Sequence, residues 1–271
     1  MKISVLMDNI GQGDFCGEWG LAIHIAGQGG NILLDTGASG AFLQNAALLR
    51  IDAGKVDFGV LSHAHYDHAN GLEDFFAANE RAPFYLRSCC GENCYSEKET
   101  GLEYIGIKEG WLEKYRARLK GVEKAMSPAE GVRILPHTTE GLAELGRRAK
   151  MFVKEDGALR DDDFAHEQTL VVEAESGLVI FNSCSHGGAD NIINEVKAAY
   201  PGRRVYAYIG GLHLFRSSAD EVRALAERML ETGIERVITG HCTGEEAFAV
   251  LREVMGERVE QMYAGMELEI D

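Results

Sequence analysis

The sequence predicts an α/β (α+β) protein in which two sheets pack together with helices on the outside. The opening third reads almost wholly as strands and tight turns, whereas the final third alternates amphipathic helices with short apolar strands. At 271 residues, 45% hydrophobic and 26% charged, the chain has the composition of a globular protein able to bury a substantial core. No long linker, low-complexity tract or fixed-period repeat divides it, so residues 1–271 read as a single domain.

KISVLMD opens as a strand. GLAIHIA and NILLDTG flank Gly27-Gln28-Gly29-Gly30, the turn chemistry of a hairpin. AFLQNAALLR has helical spacing. VDFGVLS is a short apolar run that ends directly at His63, a buried strand delivering a histidine-rich loop. After Gly71-Leu72 a helix is expected at EDFFAAN, then a strand at APFYLRS. Residues 89–130 are rich in Gly, Glu and Lys, with one amphipathic helix at EGWLEKYRARLK and no strand alternation. They read as an insertion over one edge of the core, with the character of a lid. Strands return at GVRILP and MFVK, an acidic loop spans Glu155 to Asp163, and QTLVVEAE and GLVIFNS form a hairpin around Ser176-Gly177. The remainder is a helix (ADNIINEVKAAY), a strand (RRVYAYIG), and a helix with Val222, Leu225, Ala226 and Met229 on one face. A strand (ERVITG), a helix (GEEAFAVLREV) and one or two closing strands follow.

Twenty-seven Lys and Arg against 43 Asp and Glu leave a net charge of −16. That balance argues against nucleic acid and against an anionic membrane surface as partners. An anionic small-molecule substrate stays open, because metal ions can dominate the local charge of a site. No apolar run approaches the roughly 20 residues that span a bilayer, and MKISVLMDNI lacks the organisation of a signal peptide. A cytoplasmic location is therefore expected. Cys16, Cys89, Cys90, Cys94, Cys184 and Cys242 then read as free thiols or ligands rather than as a disulfide framework.

His63, His65, Asp67 and His68 fall within six consecutive positions directly after a buried strand, and account for three of the nine histidines. A loop can turn neutral imidazoles toward a common point, and this residue set matches the ligand chemistry of zinc and similar divalent ions. The run His63-x-His65-x-Asp67-His68 resembles the signature of the metallo-β-lactamase superfamily. The resemblance implies a four-layer αββα sandwich with two mixed sheets and a pair of metal ions, His63 and His65 on the first, Asp67 and His68 on the second. Asp35-Thr36-Gly37 is similar to the family's DTG element, whose Asp supports the histidine loop without binding metal. By the same resemblance His166 is the next ligand of the first ion, and Gly240-His241 completes the second site. One position departs from the pattern. Where relatives carry a strand-end Asp that bridges both ions, this chain has Cys184, in the run Ser183-Cys184-Ser185-His186. A thiolate is a good zinc ligand. Cys184 bridges, binds one ion, or stands behind the site while His186 is the ligand; its strand-end position favours Cys184. The runs Cys184-Ser185-His186-Gly187-Gly188, Gly210-Gly211-Leu212-His213 and Gly240-His241-Cys242-Thr243-Gly244 are similar to the hydrolase-like branch that includes the dihydropterin ribofuranosyl-aminobenzene phosphate synthases.

What the resemblance implies is a metal-dependent hydrolase acting on an ester, thioester, lactone, amide or phosphoester of a small, anionic substrate. Two divalent ions, zinc ahead of manganese or iron, would hold a hydroxide near neutral pH, with Asp67 a ligand that also orients it. Ser185, His186 and the N–H groups of Gly187, at the start of a helix, are candidates for holding a phosphate or carboxylate. His213 is the candidate donor to a developing oxyanion. Three alternatives remain: a synthase of the tetrahydromethanopterin type, a metal-binding regulatory protein, and a redox protein. His65 argues against the last, since di-iron relatives carry a carboxylate there. His24 and His137 read as structural, Cys89, Cys90 and Cys94 as free thiols without a second pair, and Trp111 and Tyr115 as packing residues.

Overall fold

Eighteen strands and eight α-helices make up the computed structural model, which describes residues 1–271. β1 (Lys2–Met7), β2 (Ala22–Gly27) and β3 (Gly30–Leu34) form an antiparallel meander, and α1 (Phe42–Leu48) leads to β4 (Phe58–Val60), parallel to β3. Next come α2 (Tyr66–Ala69), α3 (Leu72–Ala78) and β5 (Phe84–Arg87). The segment read as an insertion holds β6 (Cys94–Lys98), β7 (Gly101–Tyr104), α4 (Trp111–Lys114), β8 (Leu119–Val122) and β9 (Met126–Ala129). β10 (Val132–Pro136), α5 (Ala143–Ala149), β11 (Met151–Glu155) and β12 (Ala158–Asp161) precede the hairpin of β13 (Gln168–Ala174) and β14 (Gly177–Phe181). The chain closes through α6 (Ala189–Ala199), β15 (Val205–Ile209), α7 (Ala219–Glu231), β16 (Arg236–Thr239), α8 (Glu245–Met255), β17 (Val259–Gln261) and β18 (Glu267–Glu269).

The first large sheet has the order β18-β1-β2-β3-β4-β5-β8 and the second β17-β16-β15-β14-β13-β10-β9. Strand alternation explains how they stack. In β3, Ile32 and Leu34 face the inter-sheet core while Leu33 faces outward; in β14, Val179 and Phe181 face inward while Leu178 and Ile180 face outward. Strands buried on both faces read as continuous apolar runs, as these do. Outside the first sheet, Phe42 of α1 and Phe75 and Phe76 of α3 cover Leu33. Outside the second, Ile192 and Val196 of α6, Val222 and Met229 of α7 and Leu251 of α8 do the same. The layers therefore run helix, sheet, sheet, helix.

The segment from 89 to 130 differs from its reading. The helix expected at EGWLEKYRARLK is the single turn α4, started by Gly110 at a left-handed φ of 84°. The rest is strand. A third sheet has the order β12-β11-β6-β7, with β6 pairing with β11 and β7 at its edge, and β8 and β9 extend one edge of each large sheet. Cross-strand packing of Tyr95 on Tyr104, 5.3 Å between ring centroids, supports the β6–β7 hairpin where local propensity is weak. The acidic loop at Glu155 to Asp163 is also a hairpin, turning at Asp156-Gly157 with both residues at positive φ.

Candidate metal centre

Several chemistry-bearing residues leave the C-terminal ends of strands at one edge of the sandwich: the histidine loop after β4, Cys184 after β14, His213 after β15 and His241 after β16. Asp35, at the end of β3, is fully buried beneath the histidine loop. Its carboxylate accepts the Ser62 backbone N–H at 2.6 Å, the Ser62 hydroxyl at 2.6 Å and His68 Nδ1–H at 2.8 Å. Because Ser62 Oγ gives its proton to Asp35, it accepts Nδ1–H of His63 at 2.8 Å. Both rings are thus held with Nε2 as the lone-pair nitrogen, the form that binds metal. The loop is tied from the other side by Tyr66 N–H donating to the Ile105 carbonyl at 2.9 Å.

His63 Nε2, His65 Nε2 and both ring nitrogens of His186 are buried without a hydrogen-bond partner. Orphaned buried polar atoms are rare, yet ligand atoms of these three residues lie within 4.8 Å of one another. Burial, reinforced by mutual repulsion among the histidines, holds the pKa of all three well below the ordinary value, so they are neutral donors of lone pairs. That is the donor set of a divalent cation site.

A second group adjoins it. His241 donates Nδ1–H to Asn9 Oδ1 at 3.0 Å, and its backbone N–H donates to Asp8 Oδ2 at 2.8 Å. Its Nε2 then faces His68 Nε2 at 3.2 Å, with Asp67 Oδ2 at 3.5 Å from His241 and 3.8 Å from His68. Two Nε2 atoms whose Nδ1 protons are both committed elsewhere require a positive charge between them. Without metal that charge is a proton on His68: burial opposes it, but Asp67 and Asp35 lift His68 to about 9, while burial holds His241 down to about 3. A divalent ion fits the same position. Cys184 Sγ lies 3.3 Å from His68 Nε2 and 3.4 Å from Cys242 Sγ. Burial pushes the Cys184 thiol up. It also resists charge on Cys242, yet the bond from Cys184, with His241 and His213 nearby, draws Cys242 well below an ordinary thiol.

His166, expected to be a ligand, lies within 4.8 Å of ligand atoms of His65, Cys94 and Asp162, and both its ring nitrogens have partners within the chain. Its Nδ1 accepts the Ala64 N–H at 3.2 Å and its Nε2 meets Asp162 Oδ2 at 3.0 Å. His186 stands among the loop histidines as well. The N–H groups of His186 and Gly187 donate to the two oxygens of the buried Glu167, each at 2.9 Å, so a carboxylate of the chain itself fills the cradle read as a substrate-anion site. Ser185 Oγ is likewise engaged internally, with the Gly211 carbonyl at 2.6 Å and the Tyr208 hydroxyl. His213 does reach the centre: its ring lies 4.4 Å from that of His186 and its buried Nδ1 has no partner. Asp35, Ser185, His213 and His241 make up half of the eight non-glycine residues at positive φ, at 57°, 58°, 50° and 48°, so the backbone is strained where it aims these side chains.

Sequence reasoning missed Ser62, Asp8, Asn9, Glu167 and Cys242 as parts of this centre. Glu167 carried a signal, a carboxylate directly after His166, and so did the Asp8-Asn9 pair closing β1. It also missed the mouth. A cleft of about 290 Å3 opens over Asp67, Cys184, His186 and His213, rimmed by Trp19, Phe215 and Arg216. Trp19 and Phe215 are 42% and 37% exposed, meet edge to face at 5.2 Å, and pack on His241 and His213 respectively. The Arg216 guanidinium lies over the Phe215 ring at 5.1 Å and has no carboxylate partner.

Known proteins share this fold and part of this sequence. Residues 20–150 match the family described as the metallo-β-lactamase superfamily. The solved structure of Tm1679, a metal-dependent hydrolase of the β-lactamase superfamily, is 32% identical over 100% of this chain and 99% of that one, with a TM-score of 0.84. The 7,8-dihydropterin-6-methyl-4-(β-D-ribofuranosyl)-aminobenzene-5'-phosphate synthase of Methanocaldococcus jannaschii is 26% identical over 246 residues, 86% of this chain and 82% of that protein. An uncharacterized protein of the same organism is 24% identical over 93% of this chain and 94% of its own.

Proposed function

The chain belongs to the metallo-β-lactamase superfamily, and from that premise we propose that it is a metal-dependent hydrolase of a small, anionic ester, thioester, lactone, amide or phosphoester. The observation that carries the reading is the convergence of unpartnered imidazole nitrogens from His63, His65 and His186 beside the facing pair His68 and His241. We assign the first three to one divalent ion, and Asp67, His68 and His241 to a second, with Cys184 adjoining both groups. His166 then supports the histidine loop from behind. Bound there, zinc, manganese or iron would supply Lewis acidity, bringing the pKa of a water toward neutrality and polarising the substrate's acceptor oxygen.

The chain's own groups supply the rest. Asp67, open to the cleft, is placed to accept a hydrogen bond from the attacking water and so orient it. His213, with Nδ1 buried and unpaired, is placed to donate to the oxygen that gains charge. With the His186 and Gly187 N–H groups held by Glu167, recognition of the substrate's anionic end falls to Arg216. Trp19 and Phe215 cover the apolar part and keep bulk water from the centre. No helix is long and apolar enough to cross a membrane, and six free thiols suit a reducing cytoplasmic setting.

A second reading, synthesis instead of hydrolysis, is favoured by the likeness to the Methanocaldococcus jannaschii synthase. There the same cluster would activate a substrate for condensation. Protein purified without chelator should carry about two divalent ions per chain. It should hydrolyse at least one member of an ester, thioester, lactone, amide and phosphoester panel, with label from 18O-water entering the product. Full activity after chelation and dialysis would refute metal dependence. Turnover that joins two substrates and takes up no label selects the synthase reading.

A further inference from the structure

We propose that Cys184 and Cys242 form an oxidation-sensitive dithiol in the wall of the cleft, closed to a disulfide by a peroxide, and that closure withdraws Cys184 from the second ion position. The pairing stands on geometry alone; its consequence rests on the metal-centre reading above. The two sulfur atoms are 3.4 Å apart, against about 2.05 Å in a disulfide, so side-chain rotation must close roughly 1.3 Å. Both residues are almost fully buried, but both line the cleft, so a small oxidant reaches them by the substrate's route. Cys242 Sγ is held toward its partner by the His213 backbone N–H at 3.2 Å. The other thiols are engaged away from this pair: Cys16 with Asn45, Cys89 and Cys90 with the carbonyls of Ala165 and His166, and Cys94 beside Asp162 and His166.

The chemistry balances with hydrogen peroxide as the oxidant. One thiol sulfur attacks the peroxide; an S–O bond forms, the O–O bond breaks, and the thiol proton leaves in a molecule of water. The second sulfur attacks the sulfenic sulfur; the S–S bond forms, the S–OH bond breaks, and a second water departs with the remaining thiol proton. Two electrons pass from the thiols to the peroxide, and a dithiol reductant reverses the change by exchange. The consequence follows from position. Cys184 Sγ shares one group of ligand atoms with His63 and His68 and another with His241 and Cys242. A disulfide sulfur carries no charge to offer a cation, unlike a thiolate.

The test treats metal-free and zinc-loaded protein with hydrogen peroxide, then alkylates the remaining thiols and maps peptides by mass. We expect loss of two of the six thiols, a mass about 2 Da lower, and a cross-link joining the peptides of Cys184 and Cys242, all reversed by dithiothreitol. The zinc-loaded sample should react more slowly, and the oxidised protein should rebind about one zinc fewer per chain than the reduced one. Six titratable thiols after treatment, or a cross-link through Cys16, Cys89, Cys90 or Cys94 instead, overturns the pairing. A Cys184–Cys242 disulfide that leaves zinc content unchanged overturns its link to the ion position. If reduced protein binds no zinc, the metal-centre reading fails, while the peptide map still decides the pairing.

Discussion

Glu167→Gln isolates the brace that holds His186. The Glu167 carboxylate accepts three hydrogen bonds: from His186 N–H and Gly187 N–H at 2.9 Å each, and from His137 Nε2 at 2.6 Å. His137 in turn bonds Glu195 at 3.0 Å, and Glu195 accepts the N–H groups of Thr138 and Thr139 at 2.7 and 2.8 Å, so the turn carrying His186 is tied back to α6 and to the end of β10. An amide in place of the carboxylate must point its NH2 at one of these donors. In the milder orientation one buried N–H loses its acceptor, at about 1–3 kcal/mol. The bond from charged His137 weakens from ionic to neutral, at roughly another 1 kcal/mol. A loss of about 2–4 kcal/mol leaves a folded protein when the total is on the order of 5–15. Freed of its brace, His186 should bind zinc about 10–100-fold more weakly, the usual cost of losing an outer support. Urea unfolding of metal-free protein reads the first quantity, and zinc competition against a chromophoric chelator reads the second. Stability within about 0.5 kcal/mol of wild type, the range of a neutral surface change, together with unchanged zinc affinity, would refute this reasoning.

His186→Ala should lower zinc affinity by more than the 10–100-fold of an outer-shell loss, whereas His166→Ala should retain both ions with reduced stability; metal stoichiometry on the two variants decides which histidine is the ligand. The His137 pair makes stability depend on pH. Its folded pKa of about 9 exceeds the ordinary 6.5, because Glu167 and Glu195 outweigh burial. The protonated form therefore contributes fully below about pH 6.5, and the contribution, at most about 3 kcal/mol, fades as pH rises through 9. Unfolding midpoints of wild type and His137→Gln across that range should converge at the alkaline end, and a constant gap would show that His137 does not titrate there.

The histidine loop was legible because its ligands are consecutive and its strand is an unbroken apolar run. The surroundings of His166, hydrogen-bonded through both ring nitrogens, and of His186, unpartnered among the loop histidines, were not. They depend on Ala64, Asp162 and Glu167, two of them reached across long stretches of chain or between separate elements. The turn at Gly187 reads as a candidate anion cradle, and the structure fills it with Glu167. Local sequence can show that N–H groups are free, not which carboxylate reaches them. β6 and β7 are not legible because these short polar strands lack alternation, and the hairpin they form docks on β11, more than 50 residues along the chain. Asp156-Gly157, by contrast, is a readable hairpin signal inside the acidic run.

Left-handed backbone at Asp35, Ser185, His213 and His241 has a bearing on how this protein can change. A side chain held there carries a conformational cost on the order of 1 kcal/mol, less for the aspartate, whose short polar group tolerates this region. At Asp35, Ser185 and His241 glycine would relax the backbone but strip buried hydrogen bonds that outweigh the relief; at His213, whose Nδ1 has no partner, it would relax the backbone and delete only the imidazole facing the cleft. Selection for heat tolerance and selection for turnover therefore pull in opposite directions at His213, and directed evolution for durability alone should drift there toward a hardier, silent protein.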